Sequence, residues 1–167
     1  GLYTTKDDKT EVRDFNPEFY GGLQNTVKYK PWQFDFLFQF VKQLNYNGDA
    51  AYTLPGSMFN QPVSALDHWQ QPGDIASHQI YTDGSNAAAV AAYDRYLASD
   101  AVISDASYIR LKNISISYDL PEKTLKNMRC RIFMEGQNVL TFTKYQGADP
   151  EFKSVGYLPP LRILTAG

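Results

Sequence analysis

The nine residues WQFDFLFQF, at positions 32–40, constrain the fold more than any other part of the chain. They place an aromatic ring at every second position, and polar side chains at three of the four positions between them. Successive side chains of a β-strand point to opposite faces of a sheet, so this spacing predicts a strand with one aromatic face. Either a protein core or a lipid bilayer can cover such a face. The aromatic residues are Trp32, Phe34, Phe36, Phe38 and Phe40.

Four further segments carry strand patterns, which predicts an all-β chain of about five strands. Pro31 predicts a turn between the first two strands, because proline cannot donate a hydrogen bond to a sheet. The apolar residues of 108–119 change parity near Lys112 and Asn113. This change predicts either a β-bulge there or a strand end whose side chains no longer follow the apolar alternation. The predicted strands are residues 19–30, 32–44, 108–119, 129–142 and 160–167.

These predicted strands are longer than those of ordinary soluble sheets, whose commonest length is about five or six residues. A strand that crosses a tilted bilayer span needs about 9–11 residues. One apolar and one polar face fit a membrane β-barrel with a wet interior. They fit equally a soluble, aromatic-rich β-sandwich that binds glycans. The residue pattern alone therefore leaves both architectures open.

Two long connections separate the strands, at residues 45–107 and 144–159. The first is rich in Gly, Pro and Asn, and it contains one segment without Gly or Pro, NAAAVAAYDRYLASD at 86–100. That segment predicts a short helix, capped by Asn86 or Ser85. Four aromatic residues of this connection either bind a substrate or a covering protein, or form a small core for the connection itself. They are Trp69, Tyr81, Tyr93 and Tyr96.

Composition argues against several classes of function. The net charge of −2 argues against a nucleic-acid partner, and the single Cys130 excludes an intramolecular disulfide and a multi-cysteine metal site. His68 and His78 have no third metal ligand at a fixed spacing. We therefore expect no catalytic, cofactor-binding or metal-binding residue, and no enzyme. No apolar run reaches the length of a transmembrane helix. Because the chain begins with Gly1, we expect a fragment or a processed chain.

Four blocks of sequence carry a resemblance to a known family. They are NPEFYGGLQNTVKYKPWQFDFLFQF at 16–40, DASYIRLKNISISYDLP at 105–121, FMEGQNVLTFTKYQGADPE at 133–151 and LPPLRILTAG at 158–167. In this order they resemble the C-terminal portion of the SusC/RagA family, the TonB-dependent outer-membrane transporters of Bacteroidetes. The resemblance covers nearly the whole chain, and residues 45–107 match least well.

The resemblance implies a 22-stranded transmembrane β-barrel in the outer membrane of a Gram-negative bacterium, of which this chain supplies the last strands. It also implies a plug domain, a SusD-like surface lipoprotein as a lid, and import driven through TonB. The cargo would be oligosaccharides, peptides or similar bulky nutrients. A barrel that no longer transports and serves as a scaffold for surface lipoproteins is an alternative.

The same resemblance implies how the chain is placed in the membrane. Residues 45–107 and 144–159 would be extracellular loops, the first carrying the short helix. The turns at Lys30-Pro31 and at 120–128 would be periplasmic. The residues expected to face lipid are Trp32, Phe34, Phe36, Phe38, Phe40, Ile132 and Met134.

Overall fold

The computed structural model describes residues 12–48, 53–121, 128–152 and 158–167. The chain divides into two compact units. The sheet unit comprises Asn16–Gln43, Ala106–Lys144 and Leu158–Gly167. The loop unit comprises Gly1–Phe15, Leu44–Asp105 and Tyr145–Tyr157. The strands are β1 Phe19–Tyr29, β2 Trp32–Lys42, β3 Leu44–Tyr46, β4 Ile103–Asp105, β5 Tyr108–Asp119, β6 Arg131–Thr143 and β7 Ile163–Ala166.

The sheet unit is built on one five-stranded sheet in the order β1-β2-β5-β6-β7, and every neighbouring pair is antiparallel. β1 and β2 form a hairpin in which Tyr29 pairs with Trp32. Lys30 takes a left-handed conformation with φ 54°, which closes the turn within two residues. The carbonyl of Pro31 accepts a hydrogen bond from the amide of Asp119 at 2.9 Å, so the turn is also joined to β5.

A β-bulge lies in β5, as the change of parity suggested. The pairing with β2 passes from Asn113 to Leu111 while β2 advances by one residue, from Leu37 to Phe38, which makes Lys112 the extra residue of the bulge. The extra residue shifts the alternation of side chains between the two faces by one position. Leu111 thus pairs with Phe38, while Ile114 pairs with Phe36, and both lie on the aromatic face. Of the two alternatives that the change of parity left open, the structure shows the bulge near Lys112 and Asn113.

The second strand is shorter than the predicted span of 32–44. β2 ends at Lys42, and Leu44 begins a separate strand, β3, which pairs with β4 in a small two-stranded sheet of the loop unit. Gln43 closes the larger sheet, because its carbonyl accepts a hydrogen bond from the amide of Ala106 at 3.0 Å.

The last two predicted strands also have different bounds. The strand predicted at 129–142 runs over Arg131–Thr143. The strand predicted at 160–167 is reduced to Ile163–Ala166. Pro159 and Pro160 precede it and cannot donate to a ladder, so regular pairing with β6 begins after them.

The loop unit contains the predicted helix, α1, at Ala87–Leu97. The side chain of Asn86 caps it by accepting hydrogen bonds from the amides of Ala88 and Ala89, at 3.1 and 3.2 Å. Ala89 and Tyr93 are the buried positions of the helix. Among the described residues, no helix is long and apolar enough to cross a membrane.

Candidate functional site

The aromatic face of the sheet unit extends across several strands. The regular pairing of β1 with β2 keeps all five aromatic rings of β2 on one side. Adjacent rings touch along the strand: the centroids of Phe34 and Phe36 are 5.6 Å apart, and those of Phe36 and Phe38 are 5.7 Å apart. The face continues onto β5 and β6 through two rows of paired residues. These rows are Trp32–Tyr118–Ile132 and Phe34–Ile116–Met134.

This face is open along much of its length. Trp32, Phe34 and Phe40 are exposed, as are Ile132 and Met134. The described residues of the sheet unit form a single sheet, so that unit supplies no second layer to cover the rings. A soluble protein rarely leaves so large an apolar surface in contact with water. The soluble sandwich therefore lacks its second sheet in the part of the chain that the structure describes.

One glycine accommodates an aromatic ring on this face. Gly21 pairs with Phe40 across β1 and β2. A Cβ atom added at Gly21 would lie only 2.6 Å from Cζ of Phe40, so the ring rests against the glycine backbone. A larger residue at this position would displace the ring.

The opposite face is polar and is organised around Asp35. Its Oδ1 accepts a hydrogen bond from Thr26 Oγ1 at 2.5 Å. Its Oδ2 accepts from Gln33 Nε2 at 2.8 Å and from Ser115 Oγ at 3.2 Å. Three neutral donors from β1, β2 and β5 thus fix one carboxylate. Glu135 lies in the same row, paired with Ser115.

Two arginines mark the two ends of this polar face. Arg131 forms a two-pronged ion pair with Asp119, with distances of 2.6 and 3.0 Å, near the end of the sheet that carries the turn at Lys30-Pro31. Arg110 lies toward the other end and is only 1% exposed. Its Nε donates to Thr141 Oγ1 at 3.0 Å. Sequence reasoning did not single out Arg110, although its parity relative to Leu111 was a signal that it lies on the polar face.

The four aromatic residues singled out in the loop unit fall into different surroundings. Tyr93 is buried and stacks with Tyr96 at 6.5 Å, and Tyr96 meets His78 edge-on at 5.7 Å. These two tyrosines form part of a small internal core. Tyr81 is exposed and stacks on His68 at a centroid distance of 3.5 Å. Trp69 is half-buried. A contact of these residues with substrate or lid stays a prediction.

The segments around the two histidines are joined through their backbones. The amide of Trp69 donates to the carbonyl of His78 at 2.9 Å, and the amide of His78 donates to the carbonyl of Asp67 at 3.1 Å. Ser77 donates twice to the carboxylate of Asp67, from Oγ at 2.5 Å and from N at 3.1 Å. These hydrogen bonds, the side-chain one foremost, lower the pKa of Asp67 below its ordinary value. Within the described residues, no three metal-ligating side chains come together.

Comparisons with known proteins agree with this geometry. No family model matches the chain. The chain is 31% identical over 154 residues to TonB-dependent receptor P3 of Formosa agariphila, which covers 86% of this chain. It is 29% identical over 140 residues to TonB-dependent receptor SusC of Bacteroides thetaiotaomicron, which covers 80% of this chain. The solved structure of the RagAB peptide transporter matches over 89% of the chain with a TM-score of 0.65 and 22% identity.

The chain corresponds to a small part of each of these proteins. It spans 14% of the length of receptor P3, 13% of SusC and 16% of the matched RagAB chain. The RagAB peptide importer in its "open-open" state gives the same fold, with a TM-score of 0.64. The sheet unit accordingly represents C-terminal strands of a TonB-dependent β-barrel. The chain belongs to the SusC/RagA-type family of TonB-dependent receptors.

Proposed function

We propose that the chain forms part of the wall of a 22-stranded outer-membrane importer that takes up bulky nutrients with energy relayed by TonB. The observation that carries this proposal is the two-faced sheet. Its aromatic face is continuous and open, and its polar face holds Asp35, Glu135 and Arg110. In a membrane barrel the first face contacts acyl chains, whereas the second lines the interior.

The edges of the sheet support a larger barrel. β1 and β7 each have one side without a partner strand among the described residues. Unpaired backbone groups cost several kcal/mol each in hydrocarbon, so strands persist there only in a closed barrel. β1 would pair with an upstream strand, and β7 with the first strand of the barrel. The polar face would then surround a plug domain.

The connections support an orientation in the membrane. At one end of the sheet the strands are joined by the turn at Lys30-Pro31 and by the segment 120–128. At the other end lie the long connections 45–107 and 144–159. Outer-membrane barrels have short periplasmic turns and long extracellular loops. The long connections are therefore assigned to the cell exterior, and Trp32, Phe34, Phe36, Phe38, Phe40, Ile132 and Met134 are assigned to the lipid boundary.

The relatives support the partners and the cargo of the proposal. Two of them are named as TonB-dependent receptors, and the solved structure is named as the RagAB peptide importer. We assign to this protein a SusD-like surface lipoprotein as its lid and oligosaccharides, peptides or similar nutrients as its cargo. No residue of this chain is assigned a catalytic, cofactor or metal role.

Cysteine labelling in intact cells tests the orientation. The full-length receptor carrying Cys130→Ser receives one new cysteine, either Ala88→Cys in α1 or Lys30→Cys in the turn. A membrane-impermeant maleimide should label the first variant in intact cells, and the second only after the outer membrane is permeabilised. Labelling of Lys30→Cys in intact cells would overturn the assignment.

Nutrient uptake tests whether the barrel transports or serves only as a scaffold. Cells that contain the full-length receptor should accumulate a labelled oligosaccharide or peptide, and loss of TonB should abolish that accumulation. Accumulation that is equal with and without the receptor, for every nutrient offered, would leave the scaffold as the better description.

A further inference from the structure

A groove lies on the aromatic face of the sheet unit, near the end that carries the turn at Lys30-Pro31. Its volume is about 690 Å³, within the range of about 300–1,000 Å³ that sites for small molecules occupy. Side chains of β2, β5, β6 and β7 line it, and the pairing of these strands places them on one face. These side chains are Trp32, Ile116, Tyr118, Ile132, Met134 and Ala166. The groove therefore belongs to the face that is proposed to contact lipid.

Three aromatic residues form a row across the strands at one end of the groove. Tyr29 pairs with Trp32, and Trp32 pairs with Tyr118. The ring centroids of Trp32 and Tyr118 are 4.8 Å apart, and both Tyr29 and Trp32 are exposed. Tyr and Trp combine an apolar ring with a polar group and are enriched where a bilayer meets water. The row therefore indicates the level of the lipid headgroups, and Ile116 and Met134, one row further along the strands, lie on the hydrocarbon side of it.

A cation lies beside this aromatic row. The ammonium of Lys30 is 5.2 Å from the centroid of the Tyr29 ring. Lys30 is exposed, and it forms no ion pair with another residue that the structure describes. Asp119, a carboxylate near the same end of the sheet, is already paired with Arg131. The charge of Lys30 is therefore available to an anion at the level of the headgroups.

The charges of the connecting segments differ in sign. Residues 120–130, which join β5 to β6, contain two lysines, one arginine and one glutamate, a net charge of +2. Residues 44–105, in the long connection that follows β2, contain seven aspartates, one arginine and no lysine, a net charge of −6. Basic residues beside a membrane-spanning segment attract anionic lipid headgroups. Positive charge thus accompanies the strand ends where the groove lies.

We propose that the groove holds one acyl chain of an anionic phospholipid, and that Lys30 binds the phosphate of its headgroup at the level of the aromatic row. The inference rests on the proposed function, in which the aromatic face contacts lipid, and it adds a specific lipid site to that face. A zwitterionic phospholipid would fill the groove equally well, but its own ammonium would compete with Lys30 for the phosphate. A transported nutrient is a poor occupant, because it would travel along the opposite, polar face.

Lipid titration of the full-length receptor in detergent tests the headgroup contact, with native mass spectrometry to count the retained lipids. Phosphatidylglycerol should be retained more tightly than phosphatidylethanolamine, and equal Kd values for the two lipids would contradict the proposal. Lys30→Gln should weaken the Kd for phosphatidylglycerol about fivefold, because one cationic contact is lost. The matched control is Lys28→Gln, which removes the same charge from the polar face of β1 and should leave that Kd unchanged.

A second pair of variants tests the groove itself. Ile116→Trp fills the groove, and it should weaken the retention of both lipids about tenfold, the loss expected when about two CH₂ groups leave apolar surroundings. The matched control is Ile109→Trp, on the same face of β5 but outside the groove, which should leave retention unchanged. Ile116 and Ile109 are similarly exposed, at 42% and 49%, so the two variants should melt alike. If Ile116→Trp lowers the melting temperature, the exposed Lys30→Gln decides the question.

Each outcome bears on a separate conclusion. An unchanged Kd for phosphatidylglycerol in Lys30→Gln overturns this inference and leaves the proposed barrel intact. Equal retention by Ile116→Trp and Ile109→Trp also overturns it, because the groove then holds no acyl chain. Two receptors joined through this face without a retained lipid overturn it in favour of a protein partner. A receptor that stays monodisperse in detergent-free buffer and binds neither lipid contradicts the proposed function itself.

Discussion

The sheet unit and the loop unit differ in where they place their apolar side chains. In the sheet unit the apolar rings lie on an open face and polar groups lie on the other face, where three neutral donors hold Asp35. In the loop unit Tyr93 is buried within a small core, as in a soluble protein. The difference teaches that burial is an appropriate guide to stability in the loop unit only. The stability of the sheet unit depends on whether water or lipid contacts its aromatic face.

The largest expected effect comes from placing a charge on the aromatic face. Phe36→Arg should destabilise the full-length barrel by about 2–4 kcal/mol if the site lies near the bilayer midplane, because the guanidinium would enter hydrocarbon. A refolding titration in lipid vesicles measures the loss. Gln24→Arg, on the polar face of β1, is the control and should cost much less. Equal losses in the two variants would contradict the assigned faces.

Gln39 also lies on the polar face, on β2, but it would not serve as a control for Phe36→Arg. Gln39 pairs directly with the buried Arg110. A second guanidinium at position 39 would add repulsion between like charges, and that cost would be mistaken for a cost of facing lipid.

A smaller effect should follow from changing the core of the loop unit. Tyr93→Leu keeps apolar bulk but removes the ring that stacks on Tyr96, which should cost about 1–2 kcal/mol. The loss should be confined to the loop unit, so hydrogen exchange in α1 should accelerate while the refolding midpoint of the barrel stays constant. A shift of that midpoint equal to the loss in α1 would show that the two units unfold together.

The helix cap provides a third test of local stability. Asn86→Ala removes the acceptor for the amides of Ala88 and Ala89, and should cost about 1 kcal/mol. Amide exchange in the first turn of α1 is the measurement. Asn86→Ser keeps an acceptor and should recover most of the loss, whereas equal exchange in the Ala and Ser variants would argue that the cap contributes nothing.

The smallest expected effect is a response of the loop unit to acid. Asp67 has a lowered pKa because Ser77 donates to its carboxylate. A lowered pKa in the folded state means that this contribution is complete above the ordinary value of 3.8 and is lost as the pH falls through the lower folded value. Exchange of the amide of Ser77 should therefore accelerate below about pH 4.

A substitution at the same aspartate isolates this response. In Asp67→Asn the step in the exchange of Ser77 should disappear, because the side chain no longer titrates. A step of the same size in that variant would assign the response to another group of the loop unit.

The sheet unit could be predicted from sequence more completely than the loop unit. The alternation of apolar and polar residues is a local property of each strand. It therefore indicated β2, and a bulge at Lys112 as one of two alternatives, without any knowledge of distant contacts. The ends of strands were less visible, since β2 stops at Lys42 only because Leu44 pairs in another sheet. β3 and β4 have three residues each, which is too short for an alternation of apolar and polar residues to be recognised.

The loop unit depends on contacts between residues far apart in the chain. The amide of Asn47 donates to the carbonyl of Val102 at 2.7 Å, and the hydroxyl of Tyr145 donates to the carbonyl of Tyr46 at 2.7 Å. No local sequence pattern predicts such hydrogen-bonded pairs. The helix was predictable because its cap and its small residues are local, but the separation of Tyr93 from Tyr81 into buried and exposed positions was not.

The absence of lysine from residues 44–105 has a consequence for proteolysis. Exposed loops are the usual sites of nicking in a folded protein. After Lys42, the next Lys or Arg is Arg95, so trypsin finds no cleavage site across residues 43–94. Proteases that cleave after large apolar residues instead meet Met58, Phe59 and Leu66 on the surface. Sensitivity to chymotrypsin and resistance to trypsin would thus distinguish this segment in limited proteolysis of the folded protein.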